Sequence, residues 1–103
     1  MSDISKETSD AVYRRDNFIC QYCGFDGRTF LHWRQLEIDH VDPEGPRDDP
    51  NNCVVCCHHC NTTKQATKIR TLDEARAMMA PRIKAHFDWY QQHIVPNVEW
   101  KKS

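Results

Sequence analysis

The chain has 103 residues, which is enough for one domain and too few for two. Charged residues make up 28% of the chain and hydrophobic residues 39%, which excludes a disordered tail, and no apolar run approaches the roughly 18 residues of a membrane-spanning helix. The net charge of −1 excludes the simplest electrostatic case for a nucleic-acid-binding protein. The polar, acidic N-terminus lacks a signal-peptide pattern, so we expect a cytoplasmic protein without a membrane anchor.

The charges are unevenly distributed along the chain. Residues 61–84 contain six basic side chains and two acidic ones, whereas residues 39–52 contain five acidic side chains and one basic side chain. This distribution indicates either a basic surface beside an acidic pocket or an ordinary solvated face.

The first two thirds of the chain contain five predicted elements. A serine in N-cap position indicates a short helix over residues 9–16. Alternating polarity predicts a strand over residues 35–41. The proline-rich acidic segment 42–51 predicts a loop, because proline cannot donate to a strand ladder. A second short strand over residues 52–56 follows, and then a helix that begins after Cys57 and runs to about Lys68.

A helical extension is predicted at the C-terminus. Thr71 and Glu74 form a capping box that opens this helix, whose pattern continues to about Ile94. Pro81 predicts a break or kink, because proline has no backbone N–H and clashes with the preceding turn. The apolar side chains of the extension are expected to pack on the small core: Ile83, Phe87, Trp89, Tyr90 and Ile94.

Six cysteines in a chain of a reducing compartment indicate a metal site rather than disulfides. They form three Cys-x-x-Cys pairs: Cys20/Cys23, Cys53/Cys56 and Cys57/Cys60. Residues three apart on a strand face opposite sides, so Cys53 and Cys56 cannot easily bind one ion and are predicted to be small buried hydrophobic residues. The other two pairs lie at turns, where both sulfurs of a pair can reach the same ion.

The spacing therefore predicts one structural zinc ion bound by four thiolates, at Cys20, Cys23, Cys57 and Cys60. His58 or His59 is the alternative ligand if one thiolate is not used. A closed site of this kind stabilises the fold and performs no chemistry. A domain this short needs such a stabilising site, because its core supplies little surplus stability.

The segment between the cysteine pairs carries the chemistry. Asp39 and His40 combine a hard oxygen ligand with a potential base. Asn52 lies five residues before Cys57, and residues 57–64 read Cys-x-x-Cys-Asn-x-x-Lys. With the lead-in Arg-Asp pair at residues 15–16, this order of motifs resembles the HNH endonuclease family and its ββα-metal core over about residues 12–68.

The resemblance implies an α+β fold in which a small zinc-stapled ββα-metal core is flanked by N-terminal and C-terminal helices. Residues 1–103 would then form a single domain, with the core at about residues 12–68 and the helical extension at about residues 71–95. Neighbouring strand residues point to opposite faces, so Asp39 and His40 can enter one site only if the strand ends or twists at His40.

The resemblance also implies roles for individual residues. His40 matches the general base, and Asn52 matches the asparagine that ties down the loop or orients His40. Asp39 and Asn61 would hold one catalytic ion. Asn61 occupies the position at which the HNH motif has its last histidine. Its hard, neutral amide oxygen favours Mg²⁺ or Mn²⁺ over Zn²⁺. Basic side chains would contact the backbone phosphates of DNA: Lys64, Lys68 and Arg70.

The implied protein is a metal-dependent DNA endonuclease that hydrolyses phosphodiester bonds, leaves 5′-phosphate ends and uses one structural zinc and one Mg²⁺ or Mn²⁺ per chain. As a monomer or weak homodimer with one site per subunit, it would nick one strand. Two alternatives stay open, a non-catalytic zinc-ribbon module that binds nucleic acid and a zinc-stapled protein-interaction module. In both of them Asp39 and His40 are incidental.

Overall fold

The computed structural model describes residues 3–64 and 68–97. Among these residues no helix is both long enough and apolar enough to cross a membrane. The helices and strands are α1 (Lys6–Arg15), α2 (Phe30–Trp33), β1 (Leu36–His40), β2 (Cys53–Cys57), α3 (His58–Thr63) and α4 (Leu72–His93), with short 3₁₀ helices at Pro50–Asn52 and Val95–Asn97.

The two strands form one antiparallel sheet. Its register runs from the Leu36–Cys57 pair to the His40–Cys53 pair. Both strands lie where the alternation and the cysteine-rich run predict them, and α3 follows β2 directly. The predicted α+β fold is therefore confirmed. Strand β1 ends at His40, which meets the condition under which Asp39 and His40 could enter one site.

The sheet is covered on both faces. On one face Leu36 and Val55 pack against Val12 of α1. On the other face Cys56 lies in one buried cluster with Met79 of α4. All five residues of β2 are buried, which explains why this strand reads as a continuous apolar run rather than an alternating one.

The first helix begins earlier than the sequence predicts. The hydroxyl of Ser5 accepts a hydrogen bond from the Thr8 backbone N–H, so Ser5 is the N-cap. Ser9 lies inside the helix, and its N–H donates to the Ser5 carbonyl at 2.9 Å. The prediction of a start at Ser9 was wrong because two serines four residues apart offer equivalent caps.

The Arg-Asp pair after this helix fixes α1 to β2. The guanidinium of Arg15 donates to the Cys53 carbonyl at 2.5 Å, and Oδ2 of Asp16 accepts from the Val55 N–H at 2.8 Å. Asp16 is buried and also pairs with Arg15 at 2.9 Å. These two side chains therefore have a structural role beside the outer edge of β2.

Helix α3 is shorter than predicted. It ends at Thr63, and Lys64 has the extended backbone angles φ −69° and ψ 126°. The predicted end at Lys68 was wrong, although residues 65–67 of that prediction lie outside the described part of the chain. The chain leaves the helix where the Lys64 side chain turns back to donate to the His40 carbonyl at 3.0 Å.

The predicted cap of helix α4 is confirmed, and the helix has no break at Pro81. The hydroxyl of Thr71 accepts from the Glu74 N–H at 3.2 Å. The helix continues through Pro81, which leaves the Ala77 carbonyl without its usual helical donor. Both residues are exposed, so water can satisfy that carbonyl.

The far half of α4 also differs from expectation. Ile83 packs against the buried cluster of Cys56 and Met79 as predicted. Phe87 and Trp89 are 58% and 57% exposed, so the prediction that they pack on the core was wrong. The helix is longer than the small core that it covers.

Candidate functional site

Four cysteine side chains converge where the turn after α1 meets the end of β2 and the start of α3. Their sulfur atoms all lie within 4.8 Å of one another: Cys20, Cys23, Cys57 and Cys60. Gly24 shapes the turn that carries the first pair, because it takes the positive φ of 84° and donates its N–H to the Cys20 carbonyl at 2.9 Å. Four clustered thiols are a donor set that zinc prefers, so the cluster suggests a structural zinc site.

The thiols of this cluster perturb one another's pKa values. Hydrogen bonds with the Cys57 and Cys60 thiols lower the pKa of Cys20. Burial raises the pKa of the Cys23 thiol to about 11. Since zinc binds thiolates, an ion at this place would supply the positive charge that four deprotonated sulfurs need.

Cys53 and Cys56 do not join the cluster. Cys53 is buried beside Val12 on the α1 face of the sheet, and Cys56 is buried beside Met79 on the opposite face. Burial raises the pKa of both thiols above the ordinary value. They occupy the opposite faces that their three-residue spacing on a strand predicts, as small apolar side chains.

Asp39 lies on the face of β1 that α3 covers and is held by two donors. Tyr22 donates its hydroxyl to Oδ2 at 2.6 Å, and Lys64 places Nζ 2.9 Å from the same oxygen. Both contacts fall on Oδ2, so Oδ1 carries neither of them. Burial, followed by the hydrogen bond to Asp39, raises the pKa of Tyr22, which keeps the phenol a donor.

Lys64 is placed differently from the sequence prediction. Its side chain is 4% exposed and its ammonium group is occupied by Asp39 and by the His40 carbonyl. It therefore does not present its charge to a phosphate backbone, because it is directed into the protein. The other two predicted phosphate ligands are on the surface: Lys68 is exposed, and Arg70 is 66% exposed and lies 3.5 Å from Asp42.

Asn61 approaches the same face of β1 from α3, where its partner is Glu37. The Asn61 amide Nδ2 donates to Oε1 of Glu37, and Nδ1 of His58 lies 2.5 Å from Oε2. The hydrogen bond from Asn61, more than the one from His58, lowers the pKa of the Glu37 carboxyl. Three side chains whose oxygen atoms could bind a metal ion thus lie along the interface of β1 and α3: Glu37, Asp39 and Asn61.

His40 ends β1 and turns toward the loop that follows it. Its Nε2 lies 2.7 Å from the Arg47 carbonyl oxygen. The loop itself is tied by Asn52, whose Nδ2 donates to the Asp42 and Pro46 carbonyls at 3.0 Å and whose Oδ1 accepts from the Asp42 N–H at 2.9 Å. The side chain of Asn52 therefore fixes the loop that contacts His40.

Two residues of this arrangement were missed by the sequence analysis. Glu37 had a usable signal, because alternation along the strand places it on the same face as Asp39. Tyr22 had none, because a tyrosine between two of the clustered cysteines has no fixed partner in sequence. Only the tertiary structure brings its hydroxyl to Asp39.

The segment that contains this arrangement matches a known family. Residues 20–67 match the protein-family model described as HNH endonuclease. No curated protein and no solved structure matches the chain. The matched segment contains the four clustered cysteines, both strands and α3. Residues 20–67 therefore resemble an HNH endonuclease domain, and they place a cysteine cluster compatible with zinc beside a ββα unit.

Proposed function

We propose that this chain is a metal-dependent endonuclease that hydrolyses phosphodiester bonds in DNA, with His40 as the general base. The observation that carries the proposal is the contact between His40 Nε2 and the Arg47 carbonyl oxygen at 2.7 Å. A carbonyl oxygen only accepts hydrogen bonds, so Nε2 must hold a proton. In the neutral ring Nδ1 is then the basic nitrogen, and it can take a proton from an attacking water.

Asn52 acts in this proposal as a positioning residue. Its three hydrogen bonds hold the loop that follows β1, and that loop supplies the carbonyl that fixes the His40 ring. The tautomer and the direction of the basic nitrogen therefore depend on a side chain that need not touch the substrate.

Asp39 and Asn61 would hold one Mg²⁺ or Mn²⁺ ion. Their carboxylate and amide oxygens are hard ligands of the kind these ions prefer, and both side chains lie at the interface of β1 and α3. A divalent ion bound there supplies Lewis-acid stabilisation of the charge that develops on the phosphate. Tyr22 and Lys64 hold the Asp39 carboxylate in place through its other oxygen.

Lys68 and Arg70 are the exposed cations that would contact the DNA backbone, and Arg70 also offsets the acidic side chain of Asp42.

One site per chain leads us to propose single-strand nicking by a monomer or weak homodimer, with 5′-phosphate ends. The cysteine cluster would hold zinc for stability alone.

One observation favours the alternative of a non-catalytic zinc-stapled module that binds nucleic acid or protein. The buried Lys64 ammonium already neutralises Asp39. In that alternative the ion pair is a permanent structural contact and no second metal ion binds.

A plasmid assay separates the two functions. Zinc-loaded protein is incubated with supercoiled plasmid and Mn²⁺, with matched reactions that lack Mn²⁺ or the protein. We expect conversion to open-circular DNA only in the complete reaction. Gel-shift binding to the plasmid without conversion would support the non-catalytic module instead.

A further inference from the structure

The Glu37 carboxylate bridges two residues of α3. Its Oε1 accepts from the Asn61 amide Nδ2, and its Oε2 lies 2.5 Å from Nδ1 of His58. The Glu37 side chain is 35% exposed, so the bridge lies at the rim of the interface between β1 and α3. Each carboxylate oxygen thus has its own partner on the helix.

The chemistry of this contact fixes the direction of the Asn61 amide. An ionised carboxylate only accepts hydrogen bonds, so the amide atom that faces Glu37 must be the nitrogen. The amide group is planar, with Oδ1 and Nδ2 on opposite sides of Cγ. Holding Nδ2 against Glu37 therefore turns Oδ1 away from Glu37, and Oδ1 is the amide atom that binds hard cations.

We infer that Glu37 is a positioning residue that orients the Asn61 amide oxygen toward the divalent ion, while His58 holds Glu37 in place. Asp39 is the next side chain on the same face of β1, because alternate strand residues share a face. Without Glu37 the amide can rotate by half a turn and present its N–H atoms to the ion. Hydrogen-bonded partners that orient metal ligands in this way commonly matter as much as the ligands. The inference rests on the proposed function, because Asn61 is a metal ligand only there.

The substitution Asn61→Asp gives a sharp test. The two oxygens of an aspartate are equivalent, so either rotation of that side chain offers an oxygen to the ion. Glu37 should therefore be needed for Mn²⁺ binding when residue 61 is asparagine and dispensable when it is aspartate. A direct ligand role for Glu37, or general damage to the fold, would instead weaken binding in both backgrounds.

The experiment measures Mn²⁺ affinity by titration calorimetry on zinc-loaded full-length protein. We expect Glu37→Met to weaken binding at least about tenfold with Asn61 present and to cause no loss in the Asn61→Asp background. Glu37→Gln should restore most of the affinity, because its amide oxygen still accepts from Asn61. Equal losses in both backgrounds, or no loss in either, would overturn the inference.

Three controls keep the result interpretable. Glu44→Met removes an exposed acidic side chain of the neighbouring loop and should leave Mn²⁺ affinity unchanged. A loss of affinity equal to that of Glu37→Met would assign the effect to net charge and overturn the inference. Zinc content reports folding, and Glu37→Thr, which suits a strand, replaces Glu37→Met if the latter loses zinc. If Mn²⁺ binding follows the expected pattern while the wild type nicks no plasmid, the endonuclease proposal fails and the orienting role of Glu37 is supported.

Discussion

The ammonium group of Lys64 lies 2.9 Å from Oδ2 of Asp39, and only 4% of the Lys64 side chain is exposed. Asp39 is 15% exposed, so the two charges form a largely buried ion pair across the interface of β1 and α3. Such a pair is costly to break from one side, because the remaining charge is left without a partner. It also means that a divalent ion at Asp39 must share the carboxylate with a fixed positive charge.

Replacing that lysine should therefore change stability and metal affinity in opposite directions. We expect Lys64→Met to lower the free energy of unfolding by about 3–5 kcal/mol in buffer without Mn²⁺ or Mg²⁺, with the structural zinc retained, because Asp39 loses its partner. The same variant should bind Mn²⁺ more tightly, because a competing cation is gone. Urea unfolding and calorimetry measure the two effects.

Lys84→Met is the matched control for this variant. Lys84 pairs with Asp88 at 2.7 Å on an exposed face of α4, and such surface pairs contribute about 1 kcal/mol or less. Mn²⁺ affinity of Lys64→Met equal to or below that of the control would contradict the idea that Lys64 and the ion compete for Asp39.

His40→Ala should abolish plasmid nicking while the protein stays folded with its zinc. A general base typically contributes about 10²–10⁴-fold, and His40 lies outside the cysteine cluster. The rate of open-circular product formation at saturating Mn²⁺ measures the effect. His93→Ala, a change of an exposed histidine on α4, should nick like the wild type. Activity of His40→Ala within about tenfold of the wild type would remove His40 from the role of base.

Asn52→Ala tests the loop that holds His40. The substitution removes three hydrogen bonds from a residue that is 8% exposed, so we expect nicking to fall by about 10–100-fold and unfolding free energy to fall by about 1–3 kcal/mol. The neighbouring change Asn51→Ala, at an exposed residue, serves as the control. If both variants nick at the wild-type rate, the loop does not set the position of His40.

The two classes of cysteine should respond differently to substitution. Cys60→Ser removes one of four clustered thiols, so the protein should lose zinc and unfold, because metal binding contributes to the folding free energy. Cys53→Ala should keep one zinc per chain and lower the unfolding free energy by about 1–3 kcal/mol, as expected for a small core truncation. Metal analysis and circular dichroism give both results. Zinc loss in Cys53→Ala would instead identify Cys53 as a zinc ligand.

Features that depend on neighbours in sequence were predictable from the sequence alone. The spacing of Cys57 and Cys60 at a turn, the alternation through β1 and the cap at Thr71 each involve residues within one turn or one strand. Local backbone geometry determines such features, so the α+β class and the choice of clustered cysteines followed from the pattern. Where two local signals were equivalent, as at Ser5 and Ser9, the boundary of α1 was misplaced by one turn.

Features that depend on contacts between distant segments were decided by the tertiary structure. The sequence predicted a surface role for Lys64, but the meeting of β1 and α3 places its ammonium against Asp39 in a buried interface. The same meeting pairs Glu37 with Asn61 across 24 residues of sequence. The sequence determines which donors, acceptors and charged groups are available. Only the packing of helix on sheet decides which of them come close enough to form a hydrogen bond or an ion pair. Both interactions act over a few ångströms of space and do not depend on separation along the chain.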